Sequence, residues 1–172
     1  SYTLAKTVEL PSHFLEGAWY GTDTDPALEY ESEVEVLQAC DLLISGLGVG
    51  WMTDFWGETI IDGGSVILSV DTVAKTVTID EQYYLTTVYN NAVQTPYNIV
   101  GTGTYDDSGE FTTMNITYEF LQGGWSPSAW CFANGYMNND KFNAVLTLDP
   151  AGLPAPGKGH STKVKLSNKP AR

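Results

Sequence analysis

Short runs in which polar and apolar residues alternate cover most of the chain, and turn residues separate them. Residues 29–36 are the clearest case, because glutamate occupies every odd position while Tyr, Ser and Val occupy the even ones. A period of two gives a strand one wet face and one drier face, whereas a helix would scatter four such glutamates around its surface. The pattern therefore predicts half-buried antiparallel strands.

Turn chemistry divides the rest of the chain into further strands. The clearest hairpin joins residues 98–105 to residues 110–120 through an Asp-Asp-Ser-Gly turn. A second hairpin is predicted from residues 130–137 and 141–148, which flank an Asn-Asn-Asp turn. Residues 51–61 are predicted to be extended. The stretch at 37–44 fits either a short helix or a buried strand, since a short apolar run does not distinguish the two.

Together these segments predict one all-β domain. About eight to eleven strands follow one another without helical crossovers, which fits an antiparallel β-barrel of about eight to ten strands, with a β-sandwich as the alternative. We expect residues 1–12 to lead into the barrel, residues 13–149 to form it, and residues 150–172 to be a Pro/Gly linker followed by a basic segment. Residues 162–166 of that segment are a candidate last strand.

Composition and charge narrow the class of partner. The 172 residues are 42% hydrophobic and 17% charged, which is typical of a folded chain. A net charge of −13 disfavours nucleic acid and anionic membrane surfaces as partners. The basic residues concentrate in the last fifteen positions, where they form either a solvated tail or a segment that docks back onto the acidic body. They are Lys158, Lys163, Lys165, Lys169 and Arg172.

Two features of the sequence bear on its compartment. No segment approaches the roughly 20 apolar residues that cross a bilayer, and the first residues lack the basic head and apolar run of a signal peptide. We therefore expect either a chain that is not exported or one whose leader has been removed. Cys40 and Cys131 are the only cysteines, and they fit either one disulfide in an oxidising compartment or two buried thiols.

The strand predicted over residues 14–22 contains Gly17, Ala18 and Trp19 in succession. Glycine lets a strand bend sharply where a barrel closes, and tryptophan fills its narrow end with an indole N–H that needs a partner. This stretch resembles the Gly-x-Trp signature that begins the barrel of lipocalins and other calycins. The resemblance implies structural roles for Gly17 and Trp19, in an eight-stranded up-and-down barrel whose mouth takes an apolar ligand.

A second stretch, residues 97–106, has the sequence Tyr-Asn-Ile-Val-Gly-Thr-Gly-Thr-Tyr-Asp. It resembles the Ile-x-Gly-x-Gly-x-Tyr-Asp hairpin of calycin-like (lipocalin-like) bacterial envelope lipoproteins, which are commonly described as lipid-binding. This resemblance implies an extracytoplasmic monomer in the periplasm or on the outer cell surface. It also implies membrane attachment only through a lipid anchor on a removed N-terminal segment.

Few residues support catalytic chemistry. His13 and His160 are the only histidines, no Gly-x-Ser-x-Gly elbow is present, and the two cysteines are too far apart in sequence for a local metal knuckle. The glycines at positions 46, 48 and 50 lack the Lys-Ser/Thr of a phosphate-binding loop and fit a barrel corner instead. We therefore predict no enzyme activity, no metal site and no cofactor.

Aromatic side chains are the remaining candidates for a binding site. In a β-barrel they form the core, line a pocket or present flat faces to a sugar. The favoured hypothesis is a non-catalytic protein that holds a small apolar ligand, such as a lipid or fatty acid, in the barrel mouth, and a barrel packed solid with Trp and Tyr would argue against it. The alternatives are a carbohydrate-binding or adhesive surface module and, least favoured, a hydrolase. The candidate ligand-binding residues are Trp51, Phe55, Trp56, Tyr84, Tyr97, Trp125 and Trp130, and of these Trp125 is the one expected to be exposed.

Overall fold

A computed structural model of the chain describes residues 13–25, 28–38, 41–90 and 93–149. The strands are β1 (Gly17–Asp25), β2 (Leu28–Gln38), β3 (Leu42–Ser45), β4 (Thr59–Gly63), β5 (Ser65–Ile67), β6 (Ser69–Asp71), β7 (Thr76–Val88), β8 (Thr95–Asp106), β9 (Thr113–Leu121) and β10 (Phe142–Leu148). The helical elements are a 3₁₀ turn (His13–Leu15), a π-helical turn (Trp51–Phe55) and α1 (Pro127–Ala133).

The strands form one antiparallel sheet that curls into a nearly closed barrel. Nine of them follow the order β4, β7, β8, β9, β10, β1, β2, β3, β5, and β6 pairs with β7 outside this path. The predicted all-β antiparallel barrel is therefore confirmed. Because successive side chains of a strand point to opposite faces, each strand contributes every second residue to one shared interior.

The Gln82 side chain ties β5 to β7, where the two parts of the sheet meet. Its Nε2 donates to Ile67 O over 3.1 Å, and its Oε1 accepts from Ile67 N over 2.8 Å. A register shift between Ile79 and Gln82 in the β7–β8 pairing places Gln82 at an irregular point of its strand. The Gln82 side-chain amide thus makes the two hydrogen bonds with Ile67 that a backbone amide of the neighbouring strand makes in a regular sheet.

The alternation predicted for β2 is present wherever its side chains are described. Glu33 and Glu35 are exposed, whereas Val34 and Val36 are buried. The same two-residue period buries one face of β9. Its buried side chains are Met114, Ile116, Tyr118 and Phe120.

Residues 51–61 are not continuously extended, so that prediction is wrong. Residues Trp51–Phe55 form a π-helical turn in which Trp56 N donates to Trp51 O over 3.1 Å, and only Thr59–Gly63 is a strand. The physical reason is burial on several sides, because a segment surrounded by core shows no clean period of two. Residues 37–44, which fitted either a helix or a strand, hold the end of β2 and most of β3.

The first arm of the hairpin predicted from residues 130–137 and 141–148 is also wrong. Residues Pro127–Ala133 form α1, and the second arm, Phe142–Leu148, pairs with β1 and β9. Ser126 caps the helix by accepting from Ala129 N over 3.3 Å, and Pro127 lies in the first turn. These start signals outweigh the β-propensity of the aromatic residues that follow them.

The predicted boundary segments, residues 1–12 and 150–172, lie outside the described residues, and so does the candidate strand at 162–166. Among the helices that the structure describes, none has the length and hydropathy needed to span a membrane.

Candidate functional site

Residues 46–58, which connect β3 to β4, fold into the barrel instead of running outside it, and we call them the plug. Leu47, Trp51 and Met52 are fully buried, and Phe55 and Trp56 are nearly so. The Trp51 ring stacks on Phe142 of β10, with a centroid distance of 4.5 Å. The plug therefore fills space in which a calycin-like barrel is expected to hold its ligand.

Glycine allows the plug to turn inward at Gly48. Its φ is +72°, and a Cβ atom there would lie 2.4 Å from Phe120 Cζ and 2.7 Å from Tyr118 Oη. Any larger residue would have both an unfavourable backbone conformation and a clash with β9. The glycines predicted to form a barrel corner thus lie where the chain leaves the wall and enters the core.

Asp23 of β1 is the first of two buried carboxyl groups in this interior. It is 1% exposed, its Oδ1 accepts from Trp51 Nε1 over 3.1 Å, and its Oδ2 accepts from Tyr118 Oη over 2.5 Å. A buried carboxylate is tolerated only when such donors surround it. The two bonds join β1, the plug and β9.

Glu58 is the second buried carboxyl group. Its Oε1 accepts hydrogen bonds from Thr87 Oγ1 and, over 3.4 Å, from Tyr97 Oη, while its own N–H donates to Met52 O over 2.9 Å. Thr87 and Tyr97 belong to β7 and β8, so this carboxyl group fixes the end of the plug to a different side of the barrel.

Buried tyrosines complete the polar contacts of the interior. Tyr84 Oη donates to the plug carbonyl of Leu47 over 2.7 Å. Burial, and secondarily the negative charge of Asp23, raises the pKa of both Tyr84 and Tyr118 above the ordinary tyrosine value. Both side chains therefore remain neutral hydrogen-bond donors under physiological conditions.

The predicted ligand-binding residues separate into two groups. Five of them lie in the barrel interior and are at most 3% exposed: Trp51, Phe55, Trp56, Tyr84 and Tyr97. The other two, Trp125 and Trp130, flank the start of α1 and pack partly buried against the core. Trp130 stacks on Tyr136 with a centroid distance of 5.8 Å. Trp125 is therefore not the freely exposed ring that the sequence predicted.

Gly17 and Trp19 lie at the start of β1. Gly17 has a φ of +140°, which few other residues adopt, and Trp19 is fully buried with its Nε1 donating to Leu15 O over 3.0 Å. Cys131 is buried on α1, whereas Cys40 lies outside the described residues. A disulfide between the two cysteines stays a prediction.

The residues that organise the interior were not among those predicted from the sequence, namely Asp23, Glu58, Thr87 and Tyr118. Asp23 is the fourth residue after Trp19 and so shares its inward face of β1. This even spacing from Trp19 could have predicted that Asp23 faces the interior. No comparable signal marked Glu58, because its position depends on the irregular plug.

A shallow depression of about 530 Å³ lies on the outer wall of β7, β8 and β9. Two rows of paired residues cross it, Thr76–Thr104–Asn115 and Thr78–Thr102–Thr117. Hydroxyl and amide groups therefore line the depression at the strand spacing of about 4.8 Å, and among them Thr117 Oγ1 donates to Asn143 Oδ1 over 3.0 Å. None of the side chains that line the depression is charged. They are Thr76, Val77, Thr78, Thr102, Thr104, Asn115 and Thr117, with Gly103 among them.

Within the described part of the chain, no group of three or more His, Cys, Asp or Glu side chains is arranged to hold a metal ion. Comparison of the sequence and structure with known protein families, with curated proteins and with solved structures finds no significant match. The resemblance to calycins accordingly rests on the two quoted motifs, together with the barrel itself.

Proposed function

We propose that this chain is a non-catalytic binding domain of the cell envelope that takes a neutral, hydroxyl-rich ligand, such as a glycan, on its outer wall. The observation that carries the proposal is the uncharged depression on β7, β8 and β9. In a protein with a net charge of −13, a surface lined only by hydroxyl, amide and methyl groups favours a ligand recognised by hydrogen bonds instead of by charge.

The packing of the interior supports an outer-wall site over one in the barrel mouth. Drug-sized ligands need a pocket of roughly 300–1,000 Å³. Here the plug and the rings around it already contact one another, for example Trp51 of the plug with Phe142 at 4.5 Å between centroids, and the wall residue Tyr84 contacts Phe120 at 5.9 Å. We infer that the aromatic interior serves to hold the wall rigid.

A panel of neutral polysaccharides screened by affinity electrophoresis, followed by calorimetry on any hit, tests this proposal. Replacing Thr102 and Thr117 with Val removes two hydroxyl groups from one row with little change in shape. We expect about a 30-fold loss of affinity, since each of the two hydrogen bonds contributes roughly 1 kcal/mol. Thr113 and Thr147 form the matched control, because they are another exposed cross-strand pair outside the depression.

Retained affinity in the control pair together with loss in the Thr102/Thr117 pair would support the outer-wall site. Binding of no glycan in the panel, or equal loss in the two double variants, would contradict it. Either result can be interpreted only if both variants unfold at the wild-type urea concentration, which a parallel denaturation measurement establishes.

A second candidate function, binding of a small apolar ligand inside the barrel, is favoured by Trp56. Its side chain is 3% exposed, and its Nε1 has no acceptor among the described residues. Buried polar groups are nearly always hydrogen-bonded, so the carboxyl group of a fatty acid would satisfy this donor. Such a ligand would have to displace part of the plug.

Native mass spectrometry of gently purified protein tests this second candidate. A co-purified lipid that is reduced in a Trp56→Phe variant, but not in a Trp125→Phe variant, would support the interior site. A wild-type spectrum that shows only the mass of the chain would argue against it.

A further inference from the structure

Strand β2 has an open edge along its first half. β1 pairs with one side of β2 from residue 28 to residue 36, whereas β3 pairs with the other side only from residue 35 to residue 38. Directly after β3, Gly46 packs against β2, because a Cβ atom there would lie 2.3 Å from Glu33 O, and the plug then enters the interior. Among the described strands, none pairs with the second side of residues 28–32. The N–H and C=O groups of such an edge are a template for another strand.

We propose that residues 162–166, with the sequence Thr-Lys-Val-Lys-Leu, add to this edge as an antiparallel strand and complete the barrel wall. This pairing does not depend on the ligand proposed above. It gives the basic segment a position in the fold, whereas the sequence pattern allowed either a solvated tail or a docked strand.

Charge and pattern make this segment complementary to β2. Lys163 and Lys165 alternate with Val164 and Leu166, so an extended chain has one basic face and one aliphatic face. Glu33 and Glu35 mark the outer face of β2, and the sequence continues with glutamate at positions 31 and 29. Lysines on the outer face would therefore lie across from an acidic strand, where opposite charges stabilise cross-strand pairs.

The whole-chain charge distribution points the same way. The last fifteen residues contain five basic and no acidic side chains. The other 157 residues carry the remaining three basic and all 21 acidic side chains, a formal charge of −18. Docking of the segment onto the body therefore lowers the self-repulsion of the acidic barrel.

The described chain ends close enough to the open edge of β2 for residues 150–161 to span the distance. Asp149 N donates to Ala18 O over 2.8 Å, so the described part of the chain ends next to the start of β1. From there a shallow groove of about 380 Å³ crosses the outer wall toward the open edge and is lined by Ala18, Tyr20, Glu33, Val34, Glu35, Ser45 and Gly46. The twelve residues at 150–161 span up to about 40 Å when extended, which exceeds three strand spacings of about 5 Å.

Direction favours this segment over residues 3–10 as the occupant. A chain that comes from Asp149 reaches the edge at the end where β2 finishes and then runs opposite to β2. Residues 3–10 precede Gly17, which pairs with Val36 at that same end of β2. If residues 3–10 lay along the open edge and then turned back into β1, they would run parallel to β2. All pairings in the described sheet are antiparallel.

Residue-resolved amide hydrogen exchange on the full chain tests the backbone pairing. Every second amide of residues 28–32 points away from β1, and we expect these amides and those of residues 163–165 to exchange at least 10-fold more slowly than an open edge. Val164→Pro removes a donor in the middle of the added strand and should abolish the protection, whereas Asn168→Pro, outside that strand, should leave it intact. Free exchange at residues 28–32 in the wild type would overturn the proposal.

Carbodiimide cross-linking identifies the occupant. We expect links from Lys163 or Lys165 to Glu29 or Glu31 that disappear in a Lys163→Glu/Lys165→Glu variant and return when Glu29→Lys/Glu31→Lys is added. The double variant Lys169→Glu/Arg172→Glu is the control and should keep the links. Protection of residues 28–32 with links only to Lys6, or links found only between chains in a mixture of ¹⁴N and ¹⁵N protein, would show another occupant and overturn the assignment.

Discussion

At the scale of single residues, Asp23 joins the plug to two strands of the wall through hydrogen bonds. Its two oxygens accept hydrogen bonds from an indole on the plug and from a phenol on β9. Both donors are buried, so neither can turn to water if the carboxyl group is removed. Asp23 therefore sets where Trp51 and Tyr118 lie.

Asp23→Ala should lower the free energy of unfolding by about 2–5 kcal/mol, because it leaves two buried donors without their acceptor. Tyr118→Phe removes the hydroxyl group that donates to Asp23 but leaves the carboxyl group in place, and it should cost about 1–2 kcal/mol. Urea denaturation followed by tryptophan fluorescence measures both changes. A value for Asp23→Ala no larger than that for Tyr118→Phe would show that the indole hydrogen bond contributes nothing.

At the scale of elements, the plug depends on the glycine that lets it pass β9. Gly48→Ala places a methyl group against Phe120 and Tyr118 at a positive φ, and it should destabilise the protein by about 2–5 kcal/mol. Gly123→Ala is the matched control. Gly123 also has a positive φ, of +54°, but no atom lies within 4 Å of the position that a Cβ atom would take there, so about 1 kcal/mol is expected.

Thermal unfolding by circular dichroism compares these two glycine variants. A larger loss for Gly48→Ala than for Gly123→Ala would separate the effect of close packing from that of backbone conformation. Equal losses would indicate that the plug can shift away from β9 without consequence for stability.

The strands were predictable from sequence because their environment is two-sided. In β2 and β9, water on one face and core on the other impose a period of two, and the Asp-Asp-Ser-Gly turn fixes where β8 ends. The plug could not be predicted in this way, since Trp51, Met52 and Phe55 are surrounded by core and follow no simple period. The Asp23 and Glu58 contacts depend on the plug and were missed with it.

At the scale of the whole molecule, the buried tyrosines make stability depend on alkaline pH. The pKa of Tyr84 and Tyr118 is raised in the folded protein, whereas in the unfolded chain both ionise near pH 10. Above that pH the unfolded state binds fewer protons than the folded state, so stability falls as pH rises. The loss is about 1.4 kcal/mol per pH unit for each tyrosine until its folded pKa is reached.

Absorbance at 295 nm reports tyrosine ionisation, and near-ultraviolet circular dichroism reports tertiary structure. Both are recorded between about pH 9 and 13, a range that includes the pKa of a free tyrosine near 10. We expect part of the tyrosine signal to appear only as the tertiary signal is lost. The double variant Tyr84→Phe/Tyr118→Phe should show a shallower decline of stability with pH. Complete tyrosine ionisation while the fold persists would contradict the assignment.

The plug also has a consequence for the order in which the chain folds. Its contacts reach back to β1 and forward to β7, β8 and β9, so they join parts of the sequence that are far apart. Loops of that length close slowly because their entropy is lost before many contacts form. A wall that closed first would have to reopen to admit residues 46–58. Wall closure and core formation are therefore one cooperative step, and the nascent chain gains no stable barrel until β10, which pairs with both β9 and β1, has been synthesised.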